Sequence, residues 1–141
     1  MGKSLARARL PRHWFGVTLP GVAHLKSIYP VLPARKVEDA VRYYVERLGF
    51  TLAFGGGGYV GLRRDGVEVH LQMQFEKDFQ AGSAGQACLR IEVDDPDALF
   101  EELKDRGVFD ARTRLRDTEW GTREFSIRDP DGNSLTFQRD L

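Results

Sequence analysis

The chain has a single cysteine, Cys88, among 141 residues, which excludes an internal disulfide. No apolar run approaches the roughly 18 residues of a membrane-spanning helix. The basic N-terminus lacks the apolar stretch and small-residue cleavage site of a secretory signal. A soluble, cytoplasmic protein with no membrane partner is therefore expected. Acid is missing from residues 1–28, which carry Lys3, Arg7, Arg9, Arg12 and Lys26. The zero net charge of the whole chain thus hides a basic arm and an equally acidic body. An acidic body argues against a nucleic-acid groove and favours cationic ligands. The arm itself reads as a solvated, mostly irregular tail, apart from the adjacent Trp14 and Phe15, which are suited to packing on the body or on a partner.

What remains is enough for one core, with 41% hydrophobic and 11% aromatic residues. Ser27 to Ala34 is a short extended run whose prolines, Pro30 and Pro33, restrict it to an edge or exchanged strand. Val37, Ala40, Val41, Tyr44, Val45 and Leu48 recur at helical spacing before Gly49, which predicts a helix over 37–48. Phe50 to Phe54 and Tyr59 to Arg63 read as strands around the glycine run 55–58. Asp65-Gly66 is a hairpin turn into an alternating strand over 67–74. After a polar connector over 76–85 the order repeats. A strand over 87–93 leads to a helix capped by Asp95 and opened by Pro96, with Leu99, Phe100 and Leu103 inward and Gly107 as its stop. A weakly patterned strand over 108–116 and a loop over 117–121 then precede the last two strands.

The prediction is an α+β fold of two βαβββ modules, about 29–74 and 87–138, behind a basic arm of residues 1–28. Each helix covers one sheet face, so the other faces would curve into a cleft between the modules. Alternation lines that cleft with Tyr29 and Val31; with Glu68, His70, Gln72 and Gln74; with Cys88, Arg90 and Glu92; and with Glu124, Ser126, Ser134, Thr136 and Gln138. The lining is polar without an evident catalytic constellation.

The last strands, W-G-T-R-E-F-S-I-R-D-P-D-G-N-S-L-T-F over 120–137, form a hairpin around Asp129 to Asn133. Together with P-V-L-P-A-R-K-V-E-D-A-V-R-Y-Y-V-E-R-L-G-F over 30–50, they resemble the vicinal oxygen chelate superfamily of glyoxalases, extradiol dioxygenases and bleomycin resistance proteins. The Trp-Gly before R-E-F and the proline opening the first strand are most similar to the bleomycin-resistance branch. The resemblance runs from about Tyr29 to Gln138. It implies a sequestering protein without metal or other cofactor: a homodimer with two clefts between subunits and a first strand exchanged about the hinge Pro30. Metalloenzymes of the superfamily hold a divalent ion with His and Glu, and those positions fall here on Tyr29, Cys88 and Thr136. Only Glu68 or His70 remains, and a catalytic ion normally needs three protein ligands.

The resemblance also implies that Phe54, Tyr59 and Trp120 stack on the flat part of a drug, above a floor of Glu68, His70 and Gln72. The bare sequence reads Phe54 and Tyr59 equally well as core or cleft residues. Trp120 reads as a ligand or interface residue, His70 as a hydrogen-bonded cleft residue, and Cys88 as a small packed thiol. Ala53 stands where the family has an acid. The function expected is binding of a bleomycin-type or other planar, cationic small molecule, hence antibiotic resistance without catalysis. The alternatives are a metal-dependent lyase, isomerase or dioxygenase with a rearranged ligand set, and an interaction module whose cleft is filled by its own arm.

Overall fold

A computed structural model describes residues 16, 21, 23–82 and 87–141. Trp14 and Phe15, to which the sequence drew attention, lie outside the described residues. Two four-stranded mixed sheets repeat one connectivity. The first has β1 (Val31–Ala34), β2 (Thr51–Gly56), β3 (Tyr59–Arg64) and β4 (Val67–Met73) in the order β1-β4-β3-β2. The second has β5 (Cys88–Glu92), β6 (Arg116–Asp117), β7 (Thr122–Arg128) and β8 (Ser134–Asp140) in the order β5-β8-β7-β6. In each sheet the first strand pairs parallel to the last and the others are antiparallel. This is the α+β architecture of two modules that the alternating patterns predict.

The first helix, α1, is α-helical over Val37–Arg42 and π-helical over Tyr43–Arg47. The wider turn changes which residues face inward. Ala40, Tyr43, Tyr44 and Leu48 are buried, whereas Val45, expected on the inner face, is turned out to 36% exposure. Helix α3 (Pro96–Leu103) starts as its sequence signals, with the Ala98 N–H donating to the Asp95 carboxylate at 3.0 Å and Pro96 in the first turn. Leu32, Leu62, Val69 and Leu71 from the first sheet join Phe125, Ile127, Leu135 and Phe137 from the second in one buried core.

Two local expectations need correction. The stretch 108–116 is not a strand; only Arg116 and Asp117 pair, with Glu124 and Arg123. The cause is local: Asp110 accepts from the Arg112 N–H at 2.7 Å, and its own N–H donates to the Thr113 hydroxyl, giving the backbone a turn in place of a ladder. The polar connector contains a short helix, α2 (Glu76–Gln80), over which the Arg35 guanidinium sits 3.9 Å from the Phe79 ring centroid. The first strand takes an edge of its sheet, as its prolines require. Val31 to Ala34 pair with His70 to Met73 of the same chain, and Pro33 takes the outer edge, where no N–H is needed. Just ahead of the strand, the Pro30 carbonyl accepts from the His70 N–H at 2.9 Å.

The Asp129 to Asn133 loop does more than turn the chain. The Asp129 carboxylate accepts from the N–H groups of Asp131 and Asn133, both at 2.9 Å, from Asn133 Nδ2 at 2.8 Å and from the Tyr44 hydroxyl at 2.9 Å. Asn133 Nδ2 also donates to the Pro33 carbonyl, and Asp131 accepts from the Arg35 N–H. The loop of the second module is thereby latched to the helix and first strand of the first. Burial pushes the Asp129 carboxyl up against the opposing pull of its hydrogen bonds. Burial, together with the charge of Asp129, also pushes the Tyr43 hydroxyl up to about 12 and raises that of Tyr44.

Candidate functional site

The open face of the first sheet is built row by row across its strands. Phe54, Gly61, His70 and Val31 lie directly opposite one another on β2, β3, β4 and β1. Two residues along, Tyr59 faces Gln72, and on the other side Arg63 faces Glu68. A bulge between Leu52 and Phe54 resets the register of β2 so that Phe54 falls in the His70 row. Gly61 leaves a gap in that row, and the Phe54 ring lies in it. A Cβ at position 61 would collide with the ring. Phe54 thereby reaches the His70 imidazole edge to face, with centroids 5.2 Å apart and planes at 86°. Tyr29 stacks on the same imidazole at 5.2 Å and 10°, and Tyr59 meets it at 5.4 Å.

His70 is held at both nitrogens. The Tyr59 hydroxyl lies 2.7 Å from Nδ1, and Nε2 lies 2.7 Å from Glu68 Oε1. With its proton on Nε2 the imidazole donates to the carboxylate and accepts from the phenol. Glu68 also accepts from Arg63 Nε. Hydrogen bonds from His70 and then from Arg63 hold the Glu68 carboxyl below its ordinary range, so it stays ionised as the partner of the Arg63 guanidinium. The structure therefore brings Phe54, Tyr59, Glu68 and His70 into one cluster. Gln72 lies exposed beside it, opposite Tyr59.

Trp120 is placed elsewhere. It sits in the turn between β6 and β7, 47% exposed, and makes no ring contact with Phe54, Tyr59 or His70 among the described residues. The Arg116 guanidinium lies 5.7 Å from its ring centroid, and its indole N–H helps to lower the Glu124 carboxyl. Glu124 is itself buried under hydrogen bonds from Thr122 and Arg90. Burial alone would raise its carboxyl, but the bonds from Thr122, Arg90 and Trp120 prevail and lower it. The second sheet thus presents a half-exposed indole beside a buried, ionised carboxylate. Cys88, expected to be a packed thiol, is exposed instead, because alternation on β5 turns Cys88, Arg90 and Glu92 outward together.

The positions at which superfamily metalloenzymes carry ligands do not fit a metal. Tyr29 is stacked on His70, Thr136 bonds to the Ser126 hydroxyl at 2.7 Å, and both nitrogens of His70 are engaged. Among the described residues no three His, Cys, Asp or Glu side chains converge. Two contributors escaped the sequence reading. Arg63 was findable, because a two-residue turn at Asp65-Gly66 sets residue 63 opposite 68. Gly61 left no such signal, since its role depends on a ring delivered by a bulge.

A test of the row follows from that gap. Gly61→Ala is expected to leave the protein folded, at a cost of about 1 kcal/mol, because Phe54 is half exposed and can swing away. A crystal structure of the variant should show the Phe54 ring out of contact with His70. An unmoved ring would show that the gap is not what seats it.

Comparison with known proteins places this arrangement. The model of the Glyoxalase/Bleomycin resistance protein/Dioxygenase superfamily matches residues 21–137. The chain belongs to that superfamily. Within it, the chain is 32% identical to the bleomycin resistance proteins of Geobacillus stearothermophilus and of Staphylococcus aureus strain N315. Each alignment spans 130 residues, 83% of this chain and 98% of the relative. Among solved structures it is similar to the bleomycin-binding protein of bleomycin-producing Streptomyces verticillus complexed with copper(II)-bleomycin. That match has a TM-score of 0.72 and 32% identity, and covers 82% of this chain and 97% of that one. The antibiotic-binding protein TnmS3 of Streptomyces sp. CB03234 is similar at TM-score 0.65 and 27% identity, over 86% of this chain and 98% of that one.

Proposed function

We propose that this superfamily member is a non-catalytic binding protein that sequesters bleomycin or another planar, cationic small molecule and so confers resistance to it. The observation that carries the reading is the aromatic face built from Phe54, Tyr59 and His70, with the Arg63-paired Glu68 carboxylate beside it. Every polar group of its centre is already hydrogen-bonded, which leaves ring faces to offer and no free base or metal ligand. The bleomycin resistance proteins among its relatives and the Streptomyces verticillus protein solved with copper(II)-bleomycin support the same ligand class. No helix among the described residues is long and apolar enough to cross a membrane, and sequestration in the cytoplasm is part of the proposal.

The binding unit is a homodimer. Tyr29, Val31, Phe54, Met73 and Trp120 are each more than 40% exposed in the single chain, and Leu25 and Ile28, ahead of the hinge Pro30, are almost fully so. A second copy would cover this surface and could bring its Trp120 over the Phe54 and Tyr59 rings. Titration calorimetry with copper(II)-bleomycin is expected to give one ligand per chain, and light scattering to give a dimer at micromolar concentration. Absence of binding to bleomycin and to a panel of planar cationic antibiotics would remove the reading. A monomer in light scattering would remove its inter-subunit cleft.

A further inference from the structure

The ring cluster around His70 continues beyond Phe54 and Tyr59. Tyr29 lies flat against the imidazole, with centroids 5.2 Å apart and planes at 10°, whereas Phe54 meets the same imidazole at 86° and Tyr59 at 75°. The strand order β1-β4-β3-β2 separates them. Tyr29, just ahead of β1, comes from one side of His70, and Tyr59 and Phe54 come from β3 and β2 on the other. The His70 side chain, walled in by these rings, is 12% exposed, but Tyr29 is 48% exposed. One face of Tyr29 is thus spent on the imidazole, and the other is open at the edge of the sheet.

This exposed ring is fixed from both ends. Pro30 restricts the residue before it to extended backbone, so alternation carries Tyr29 to the same open face as Val31, which lies opposite His70. The Pro30 carbonyl accepts from the His70 N–H at 2.9 Å and ties the backbone beside the ring to β4. At the outer end of the ring, the Ser27 hydroxyl donates to the Tyr29 hydroxyl at 3.0 Å. A ring held in place before a ligand arrives loses little entropy on contact, so more of its stacking energy appears as affinity.

We propose that Tyr29 is a second stacking platform of the ligand site, and that the ligand carries two flat groups joined by a linkage that can turn. This deepens the binding function proposed above and rests on it. Because Tyr29 is nearly parallel to His70 and Phe54 nearly perpendicular to it, no single flat ring can lie on the faces of both. One flat group lies on Phe54 and Tyr59, and the other lies against the outer face of Tyr29. His70 joins the two platforms by touching all three rings. The electron-rich phenol ring favours an electron-poor or cationic group on that outer face.

Two cationic probes separate the platforms: proflavine, a single flat ring system, and a bis-acridine in which two such systems are joined by a short flexible chain. In calorimetric titrations of the full-length protein, the bis-acridine should bind about a hundredfold more tightly than proflavine, the gain from tethering two contacts. In Tyr29→Ala that gain should fall about tenfold or more, the share of one stacked ring and its buried area, and Tyr29→Phe should restore it. Light scattering should give both variants the oligomeric state of the parent. A bis-acridine no better than proflavine, or a gain that survives Tyr29→Ala, would overturn the proposal and leave the single aromatic face as the site. Tyr29→Phe as weak as Tyr29→Ala would overturn it in favour of the hydroxyl and its bond to Ser27. Dissociation of Tyr29→Ala into monomers would overturn it in favour of a subunit contact. If the parent binds neither probe nor copper(II)-bleomycin, the binding function itself falls and takes the second platform with it.

Discussion

Asp129→Ala is expected to be the most destabilising single substitution outside the apolar core, costing about 4 kcal/mol. The carboxylate is 5% exposed and holds four donors, two of them main-chain N–H groups and one the hydroxyl of the buried Tyr44. Alanine satisfies none of them, and water has little room to replace the oxygens. Because Tyr44 and Pro33 belong to the first module, the loss uncouples the two modules as well as the hairpin. A stability loss of that size is a large share of the roughly 5–15 kcal/mol of an ordinary domain, and at about 3 °C per kcal/mol it should lower Tm by roughly 12 °C. Asp131→Ala is the control. It removes the acceptor for the Arg35 N–H, beside the half-exposed Arg35 guanidinium, and should cost no more than about 1–2 kcal/mol. Urea titrations of both variants check the order. Equal losses would mean that the loop acts only as a turn.

That latch marks where the sequence stopped being legible. Alternation, capping and turn residues were enough to place both modules, the repeat between them and the open face of each sheet, because those signals act within a few residues of one another. The same rules could not show that D-P-D-G-N binds Tyr44 across 85 residues, since a proline-glycine turn is sufficient reason for that string by itself. The π-helical turn at Tyr43–Arg47 was hidden for a related reason. Val41, Tyr44 and Val45 fit a regular helix equally well, and only the acceptors at Arg128 and Asp129 favour the register that buries both tyrosines. In the site, Glu68 and His70 were legible from alternation on β4, and Tyr59 and Phe54 only through the family resemblance. What joins them, the bulge before Phe54 and the gap at Gly61, depends on pairing between strands and leaves no local pattern.

Trp120→Ala is expected to weaken copper(II)-bleomycin binding about thirtyfold, or roughly 2 kcal/mol, the loss typical of a large aromatic anchor. The indole is 47% exposed in the single chain, with the Arg116 guanidinium 5.7 Å from its ring centroid and its N–H helping to lower the carboxyl of Glu124, which Arg90 and Thr122 hold. A ring flanked in this way loses little entropy when a flat ligand lies against it, so most of the stacking energy is realised on binding. Two further variants separate the causes. Trp120→Phe keeps an apolar ring and gives up the indole N–H, so an intermediate loss would apportion the effect between the ring face and the N–H. Glu68→Gln removes negative charge from the floor and should cost less, mainly flattening the salt dependence, because a charge beside an open cleft is screened. Calorimetric titrations at two salt concentrations distinguish these outcomes. If Trp120→Ala binds like the parent while Glu68→Gln abolishes binding, charge on the first sheet holds the ligand and Trp120 does not face it.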